Sequence, residues 1–250
     1  MRIISMVPSW TETLIAAGAD VVGRTRFCIH PHDQIKGIPA IGGTKDWDLK
    51  KLESLKPDLI ILDREENTRE MGAYSGAPIF TTHVQNINDM PKELALLATA
   101  TKLPKLMEYS HRFSSVLAMP KKHRSLANLP TVEEWLHPIH DEAKIETIVY
   151  MIWKNPWMAV SRQTFIGSML EHVVGENKIL FTEAVSYPKI SLETLNEETT
   201  LLLFSTEPFP FAKQKTELKK LRFPSAIVDG EKWSWFGLRS LLFLESFHSL

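Results

Sequence analysis

The sequence predicts an α/β protein of two lobes, each with a parallel sheet, joined by one long helical segment. The length of 250 residues suits two lobes of about 100–130 residues each. In both halves, short apolar runs alternate with segments of helical periodicity, which is typical of a parallel sheet covered by helices. Leucines and phenylalanines at helical spacing lie between the halves. We therefore divide the chain into an N-terminal lobe 1–88, a linking helix 89–119 and a C-terminal lobe 120–250.

Apolar runs and helical spacing place the elements of the first half. Strands are predicted at 2–7, 21–23, 59–62 and 77–82, and helices at 11–17 and 49–55. The first helix ends before Gly18, because glycine readily adopts the left-handed conformation that closes a helix. Pro57 separates the second helix from the next strand, since the residue before a proline disfavours the helical conformation. Pro104 predicts a kink or a break inside the linking segment.

The second half shows the same alternation. Strands are predicted at 147–153, 201–204 and 225–228, and helices at 165–174, 192–195 and 237–247. The stretch 120–145 is polar and irregular, and its role is not predicted. A weak internal repeat aligns 48–52 with 191–195, which pairs Lys50 with Glu193. Either a duplicated lobe or a shared α/β composition explains this repeat.

The charge balance excludes several classes of protein. There are 29 Lys and Arg residues against 30 Asp and Glu residues, for a net charge of -1, so a nucleic-acid partner is not expected. Cys28 is the single cysteine, so no internal disulfide can form, and a reducing compartment is compatible with this composition. No apolar run approaches the roughly 18 residues that a transmembrane helix needs.

The segments that follow the predicted strands are rich in tryptophan, arginine, histidine and carboxylates. Six of the seven tryptophans fall in these segments. Ligands of open α/β sheets bind beyond the carboxyl ends of the strands, so these segments predict an aromatic and basic cleft between the lobes for a small molecule. Each tryptophan could instead be a packing residue, and each arginine a surface charge. The predicted ligand-binding residues are Trp10, Arg26, Phe27, Lys45, Arg64, Glu65, Trp157, Arg162, Trp233 and Trp235.

A metal site and an enzyme are two other hypotheses. Cys28, His30 and His32 alternate along the chain, so an extended segment would point all three the same way, with His83 or Glu65 completing a metal site. A lone cysteine is more often structural, and a histidine beside proline is common in loops. The adjacent carboxylates Glu65 and Glu66 could serve acid–base chemistry. No nucleophile elbow, zinc-protease motif or phosphate loop is present.

Several motifs resemble the substrate-binding proteins that deliver vitamin B12, ferric siderophores and haem to ABC importers. The motifs with this resemblance are 2–9 with Thr11-Glu12, 52–60 with its Lys-Pro-Asp, Gly175-Glu176-Asn177 and Ile190-Ser191-Leu192-Glu193. Four further segments are similar to a subgroup described as cobalamin-binding or helical-backbone metal receptors, many of which lack a leader. These segments are 25–31, 42–46, 64–67 and 153–156.

This resemblance implies a class III periplasmic-binding-protein-like fold, with two Rossmann-like lobes joined by a single long helix. It implies a monomeric binding protein rather than an enzyme, with no required cofactor. The implied ligand is cobalamin, haem or a ferric siderophore, and a metal or cofactor carrier using Cys28 and His30 is the alternative.

The resemblance also bears on partners and location. Relatives dock a permease through one glutamate on each lobe. Glu193 occupies the second position, whereas Lys50 occupies the first, and a cation there would repel a permease arginine. Because no secretory leader is recognised, we expect a cytoplasmic protein, or a periplasmic one if a leader has been removed.

Overall fold

In a computed structural model, the chain divides into two compact units. The structure describes residues 1–120, 125–129, 131–175 and 185–249, so Glu176 and Asn177 of the sequence motif lie outside the described residues. Unit 1 consists of Met1–Met119 with Trp235–Ser246, and unit 2 consists of Pro120–Ser234 with Phe247–Leu250. The segment Trp235–Ser246 therefore groups with unit 1, although the sequence placed all of 120–250 in one lobe.

Unit 1 is built on a parallel sheet. Its strands are β1 (Arg2–Ser5), β2 (Asp20–Arg24), β3 (Leu59–Asp63) and β4 (Ile79–Thr82). They pair in the order β2-β1-β3-β4, and every pairing is parallel. The interior strand β3 is buried at all five residues, which explains its unbroken apolar run. Because the strands are parallel, their carboxyl ends all lie along one edge of the sheet.

The helices of unit 1 include the two that the sequence predicted at 11–17 and 49–55. They are α1 (Pro8–Ala16), α2 (His32–Ile35), α3 (Leu49–Ser54), α4 (Arg69–Gly72), α5 (Met90–Thr101) and α6 (Pro104–Leu117). Pro8 is the first residue of α1, where its missing N–H costs no helical hydrogen bond. Gly18 follows the helix with φ of 86°, in the left-handed region that glycine tolerates.

The segment 89–119 forms two helices in place of one long helix. Helix α5 is followed by Lys102 in the left-handed conformation, and Pro104 begins α6. Both helices belong to unit 1. The break expected at Pro104 is therefore confirmed, because a proline is tolerated in the first turn of a helix but not in its interior.

Unit 2 contains a mixed sheet rather than the parallel sheet that the sequence predicted. Its strands are β5 (Val132–His137), β6 (Thr147–Trp153), β7 (Met158–Ala159), β8 (Thr200–Ser205) and β9 (Ser225–Val228). The order is β5-β9-β8-β6-β7. The three inner strands are parallel, whereas β5 and β7 pair antiparallel at the two edges. A short connection between β6 and β7 permits only the antiparallel pairing.

Helices of unit 2 and the chain end agree with the pattern in part. They are α7 (Phe165–Val174), α8 (Lys215–Leu218), α9 (Gly230–Ser234) and α10 (Leu238–Ser249). The Thr164 hydroxyl caps α7 by accepting a hydrogen bond from the N–H of Gly167. The helix predicted at 192–195 is a single 3-10 turn, Leu192–Thr194. No helix in the described ranges is long and apolar enough to cross a membrane.

Candidate ligand-binding surfaces

The carboxyl-end edge of the unit 1 sheet gathers five of the predicted binding residues. Arg26 and Phe27 follow β2, and Arg64 and Glu65 follow β3. Lys45 reaches the same edge, because its Nζ donates to the main-chain oxygen of Glu65 at 3.0 Å. The parallel pairing of the strands thus brings together loops that are about 20 to 40 residues apart in sequence.

Phe27 and its cationic neighbours present an accessible aromatic and basic surface. The Phe27 side chain is 50% exposed, which is unusual for a large apolar residue. The Arg26 guanidinium lies 4.9 Å from the centre of the Phe27 ring and 3.2 Å from the carboxylate of Asp46. Such a surface can bind a flat conjugated ligand by stacking and an acidic group by charge.

Glu65 belongs to a polar cluster on this edge. Its carboxylate accepts a hydrogen bond from Gln85 Nε2 at 3.0 Å and lies 3.1 Å from His83 Nε2. Both Glu65 and His83 remain partly exposed. The carboxylate is thus oriented by neighbours from the loop after β4 rather than free to move.

Asp63 supports the same edge from beneath. It is fully buried at the end of β3, and its carboxylate accepts hydrogen bonds from the Thr82 hydroxyl (2.6 Å) and from the N–H groups of Glu65 (2.9 Å) and Val84 (3.2 Å). Burial raises the pKa of Asp63, while the hydrogen bond from Thr82 and those from the backbone lower it. Asp63 thereby joins the loops after β3 and β4.

Asn67 connects two further loops to this support. Its side-chain amide donates to the main-chain oxygens of Met6 (3.0 Å) and Thr44 (2.8 Å), and its Oδ1 accepts from the N–H of Asp63 (2.8 Å). The buried pair Asp63 and Asn67 therefore sets the relative positions of the loops that carry Lys45 and Glu65. Asp63 was not among the predicted site residues, although a carboxylate that ends an apolar strand is a recognisable signal.

Trp10 does not lie on this surface. Its side chain is fully buried in α1, with Nε1 donating to the Thr82 hydroxyl at 2.8 Å and the ring edge-on to Phe236 at 5.0 Å. We therefore remove Trp10 from the set of predicted ligand contacts and assign it to the core of unit 1. A residue that follows the first strand can enter the helix N-terminus and turn inward, which the chain position alone does not reveal.

Trp235 and His30 form a separate contact in unit 1. Their rings are 5.3 Å apart and edge-on, and the Arg239 guanidinium lies 5.1 Å from the Trp235 ring. Trp235 is 7% exposed, so it offers little surface to a ligand. The structure therefore places it as a packing residue beside His30.

Cys28 is buried among hydroxyl groups rather than arranged for metal binding. Its sulfur lies 3.1 Å from both the Thr11 and the Thr25 hydroxyl oxygens. Burial raises the pKa of the thiol, and the hydrogen bonds from those two threonines lower it. Within the described ranges, no group of three His, Cys, Asp or Glu side chains is placed to hold a metal ion.

Because Cys28 is buried and mainly neutral, we expect it to react slowly with a thiol reagent. In native protein, the reaction should be at least about tenfold slower than in urea, since modification requires local opening. The measurement is the release of thionitrobenzoate from a disulfide reagent, and Cys28→Ala supplies the blank. Equal rates in native and unfolded protein would contradict the buried position.

Unit 2 carries an aromatic cluster beyond the carboxyl ends of β6 and β8. Trp157 stacks on Phe211 with a centroid distance of 6.1 Å, and Lys154 Nζ lies 5.8 Å from the Trp157 ring. Trp153 contacts Phe209 edge-on at 5.4 Å and is 43% exposed. Trp157 thus belongs to an aromatic surface that also includes Trp153 and Phe209, which the sequence did not single out as contacts.

The remaining predicted residues of unit 2 lie in three different environments. Trp233 is fully buried, and its Nε1 donates to the Thr131 hydroxyl at 2.7 Å, so it is a core residue and leaves the predicted set. Arg162 Nε lies 3.6 Å from the carboxylate of Glu171 on α7. Glu193 is exposed on the Leu192–Thr194 turn.

Two cavities open on unit 1. One, of about 530 Å³, follows α6, and Arg112 on its wall binds Glu245 through two hydrogen bonds of 2.8 and 2.7 Å. The other, of about 560 Å³, lies at the end of β3 and is lined by Arg64 and Arg69. Both volumes are within the range of small-molecule sites.

The chain is similar in sequence and in fold to proteins named for vitamin B12 binding. No family model matches the chain. It is 24% identical over 226 residues to the vitamin B12-binding protein of Pectobacterium atrosepticum, covering 79% of this chain and 81% of that protein. The periplasmic vitamin B12-binding protein BtuF of Vibrio cholerae superposes with a TM-score of 0.69 at 17% identity, covering 99% of this chain and 95% of that one.

A haem-binding protein gives the same structural agreement. The periplasmic protein RhuT from Roseiflexus sp. RS-1 superposes with a TM-score of 0.69 at 17% identity, covering 99% of this chain and 98% of that chain. The resemblance that the sequence motifs indicated is therefore confirmed, and the chain has the α/β fold of the periplasmic vitamin B12- and haem-binding proteins.

Proposed function

We propose that this protein is a substrate-binding protein for a cobalamin, haem or ferric siderophore ligand, and that it works by binding rather than by catalysis. The observation that carries the proposal is the exposed Phe27 ring beside Arg26, at the edge where the strands of unit 1 end. Exposed aromatic rings with adjacent cations suit a flat conjugated ligand with polar substituents. The relatives that share the fold are named for vitamin B12 and haem, which supports this ligand class.

The aromatic cluster of unit 2 supports the same proposal. Trp153 is the last residue of β6 and Trp157 follows that strand, which pairs in parallel with β8. Ligands of α/β sheets bind at the carboxyl ends of the strands, and this cluster is the exposed aromatic surface at that position. Phe209 and Phe211 hold its tryptophan rings in place.

Two alternatives have less support. A carrier that holds a metal through Cys28 and His30 needs an accessible thiolate, whereas Cys28 is buried. An enzyme that uses Glu65 and Glu66 needs a proton acceptor near a substrate, and the Glu65 carboxylate is already bound to Gln85 and His83. The proposal of a binding protein accounts for the exposed aromatic surfaces at Phe27 and at Trp153, and it requires neither a reactive thiolate nor a free carboxylate base.

A permease of the ABC type is the partner that this function implies. Glu193, on the Leu192–Thr194 turn, is exposed and could meet a permease arginine, and the one carboxylate of α3 is Glu53. Lys50 is exposed in the first turn of the same helix and would repel an arginine there. We therefore propose that any docking relies on Glu193, and that Lys50→Glu would strengthen it.

Tryptophan fluorescence tests the proposed function directly. Purified protein is titrated with cyanocobalamin, haem and a ferric catecholate, each of which absorbs light and quenches nearby tryptophans. Saturable quenching by one of them at micromolar concentration is the expected result. Absence of saturable quenching by all three would reject the proposed ligand class.

Phe27→Ala should weaken binding of the ligand found in that titration by about tenfold, close to 1.4 kcal/mol. The melting temperature should stay unchanged, because half of the ring is exposed in the free protein. The matched control is Leu96→Ala, which removes a 44% exposed apolar side chain from α5. Equal affinity for the ligand in both variants would show that Phe27 is not a ligand contact.

A further inference from the structure

Residues 211–223 form a layer that covers one face of the sheet of unit 2. The side chains of Phe211, Leu218 and Phe223 are buried, and they belong to one apolar cluster with residues of β6, β8 and β9. Because these three side chains pack on the sheet, the exposed residues between them lie on the outer side of the layer. The layer is therefore amphipathic and is fixed to unit 2 by its apolar side.

The outer side of this layer is strongly basic. The stretch 213–222 contains four lysines and one arginine against a single carboxylate, Glu217, although the whole chain has a net charge of -1. Four of these five cations are exposed, namely Lys213, Lys219, Lys220 and Arg222. We call residues 211–223 the basic layer.

Two carboxylates neutralise only part of this charge. Glu134 of β5 accepts hydrogen bonds from Lys215 Nζ (2.5 Å) and Lys219 Nζ (3.0 Å), and Glu217 forms an ion pair with Lys154. The hydrogen bond from Lys215, followed by that from Lys219, lowers the pKa of Glu134, so this carboxylate stays ionised at neutral pH. One carboxylate between two lysines still leaves a positive charge.

The other three cations of the basic layer are not neutralised. The side chains of Lys213, Lys220 and Arg222 have neither a hydrogen bond nor an ion pair with any part of the chain that the structure describes. Lysine carries a compact, strongly hydrated point charge on a flexible stem, whereas the planar fork of arginine suits a carboxylate or phosphate in a fixed position. A surface with mainly lysines therefore fits a mobile array of anionic groups.

We propose that the basic layer docks on a bilayer that contains anionic phospholipids. Each lysine or arginine close to such a surface strengthens binding about fivefold, so the three unpaired cations give about a hundredfold. The attraction acts within about one Debye length, ~10 Å at 0.1 M salt, which only cations on an outer surface can use. None of these three residues is among the proposed ligand contacts, so the inference does not depend on the proposed ligand.

Sedimentation of the full chain with vesicles tests this proposal. One kind of vesicle is phosphatidylcholine alone, and the other contains about one third phosphatidylglycerol. In about 0.02 M salt, we expect at least about tenfold tighter binding to the anionic vesicles, and about 0.5 M salt should abolish the difference because it shortens the Debye length to a few Å. Equal binding to the two kinds of vesicle in low salt would overturn the proposal.

Two triple variants locate the binding surface. The first carries Lys213→Gln, Lys220→Gln and Arg222→Gln, and it should bind anionic vesicles at least about tenfold more weakly than the wild type. The matched control carries Lys92→Gln, Lys102→Gln and Lys105→Gln, which remove three exposed lysines of unit 1 and change the net charge equally. The control should lose less than about twofold, since its lysines lie outside the basic layer. Equal losses in both variants would show that net charge, rather than this layer, attracts the protein. Circular dichroism confirms that both variants are folded.

Other anionic partners are separated from a bilayer in the same assay conditions. Polyglutamate stands for an acidic protein surface, and a single-stranded oligonucleotide stands for a nucleic acid. Binding of either one without binding to the anionic vesicles would overturn the assignment to a bilayer. In the ligand titration, the Lys213→Gln, Lys220→Gln, Arg222→Gln protein should respond as the wild type does. Loss of vesicle binding with an unchanged ligand response supports a docking surface distinct from the ligand-binding residues.

Discussion

Replacement of Trp10 by alanine is expected to lower the free energy of unfolding by about 3–5 kcal/mol. The side chain is fully buried in α1, so its removal leaves a large cavity that neighbouring groups fill only in part. It also removes the hydrogen bond from Nε1 to the Thr82 hydroxyl and the edge-on contact with Phe236. Urea unfolding followed by circular dichroism measures the effect.

Trp153→Ala is the matched control, because the same side chain is removed from an exposed position of unit 2. We expect the free energy of unfolding to change by less than about 1 kcal/mol in that variant. If Trp10→Ala kept wild-type stability and lost ligand binding, Trp10 would be a ligand contact after all and the core assignment would fall.

Asp63→Asn is expected to destabilise the protein by about 1–3 kcal/mol at neutral pH. The amide oxygen can replace only one of the two carboxylate oxygens as an acceptor. Its NH2 group would then face either the N–H of Glu65 or the N–H of Val84, and one buried donor would lose its partner. The loops after β3 and β4 would also lose their shared anchor, so ligand affinity should fall together with stability.

The pH dependence of stability supplies an independent check on Asp63. Burial raises its pKa in the folded state, so folded protein holds the proton to higher pH than unfolded protein does. The part of the stability that comes from protonation of Asp63 is therefore fully present below the pKa of the unfolded state and is lost as pH rises through the folded value, whereas the hydrogen bonds that the carboxylate accepts remain at neutral pH. The stability difference between wild type and Asp63→Asn should decrease with rising pH across that window.

Glu93 provides the comparison for this experiment. Burial raises its pKa as well, while a hydrogen bond from the backbone of His83 lowers it. The free energy of unfolding should therefore depend less on pH in Glu93→Gln than in the wild type, with a change of the same sign as in Asp63→Asn. In the variant that carries both substitutions, the free energy of unfolding should depend least on pH in the mildly acidic range. A difference between wild type and Asp63→Asn that grows with pH would show that the Asp63 pKa is lowered in the folded state.

The parts of the candidate site that sequence could predict are those that depend on position along a strand. Arg26, Phe27, Arg64 and Glu65 follow predicted strands, and the structure places all of them at the edge of one sheet. Trp10 and Trp233 also follow strands, yet both are buried. A position just after a strand predicts that a residue lies near the carboxyl-end edge of the sheet. Whether its side chain is exposed or buried depends on the helix that the residue enters.

Cys28 and Arg69 show what sequence spacing misses. Alternation along 28–32 predicted a shared side for Cys28 and His30, but Cys28 lies between the hydroxyls of Thr11 and Thr25 and His30 packs on Trp235. Arg69 had no distinguishing motif, and only the structure places it with Arg64 on the wall of one cavity. The surroundings of Cys28 and His30 are set by residues that are remote in sequence. The position of Arg69 is recognised only from the cavity that it lines.

The sequence by itself determined the α/β class, most strand and helix positions and the break before Pro104, because side-chain periodicity and proline chemistry act over a few residues. Only the tertiary structure decided the strand order, the antiparallel edges β5 and β7 and the burial of Trp10. Those outcomes depend on partners far along the chain: the hydrogen bond from Trp10 to Thr82 spans 72 residues. Burial and pairing of this kind are properties of the packed chain, and no local pattern contains them.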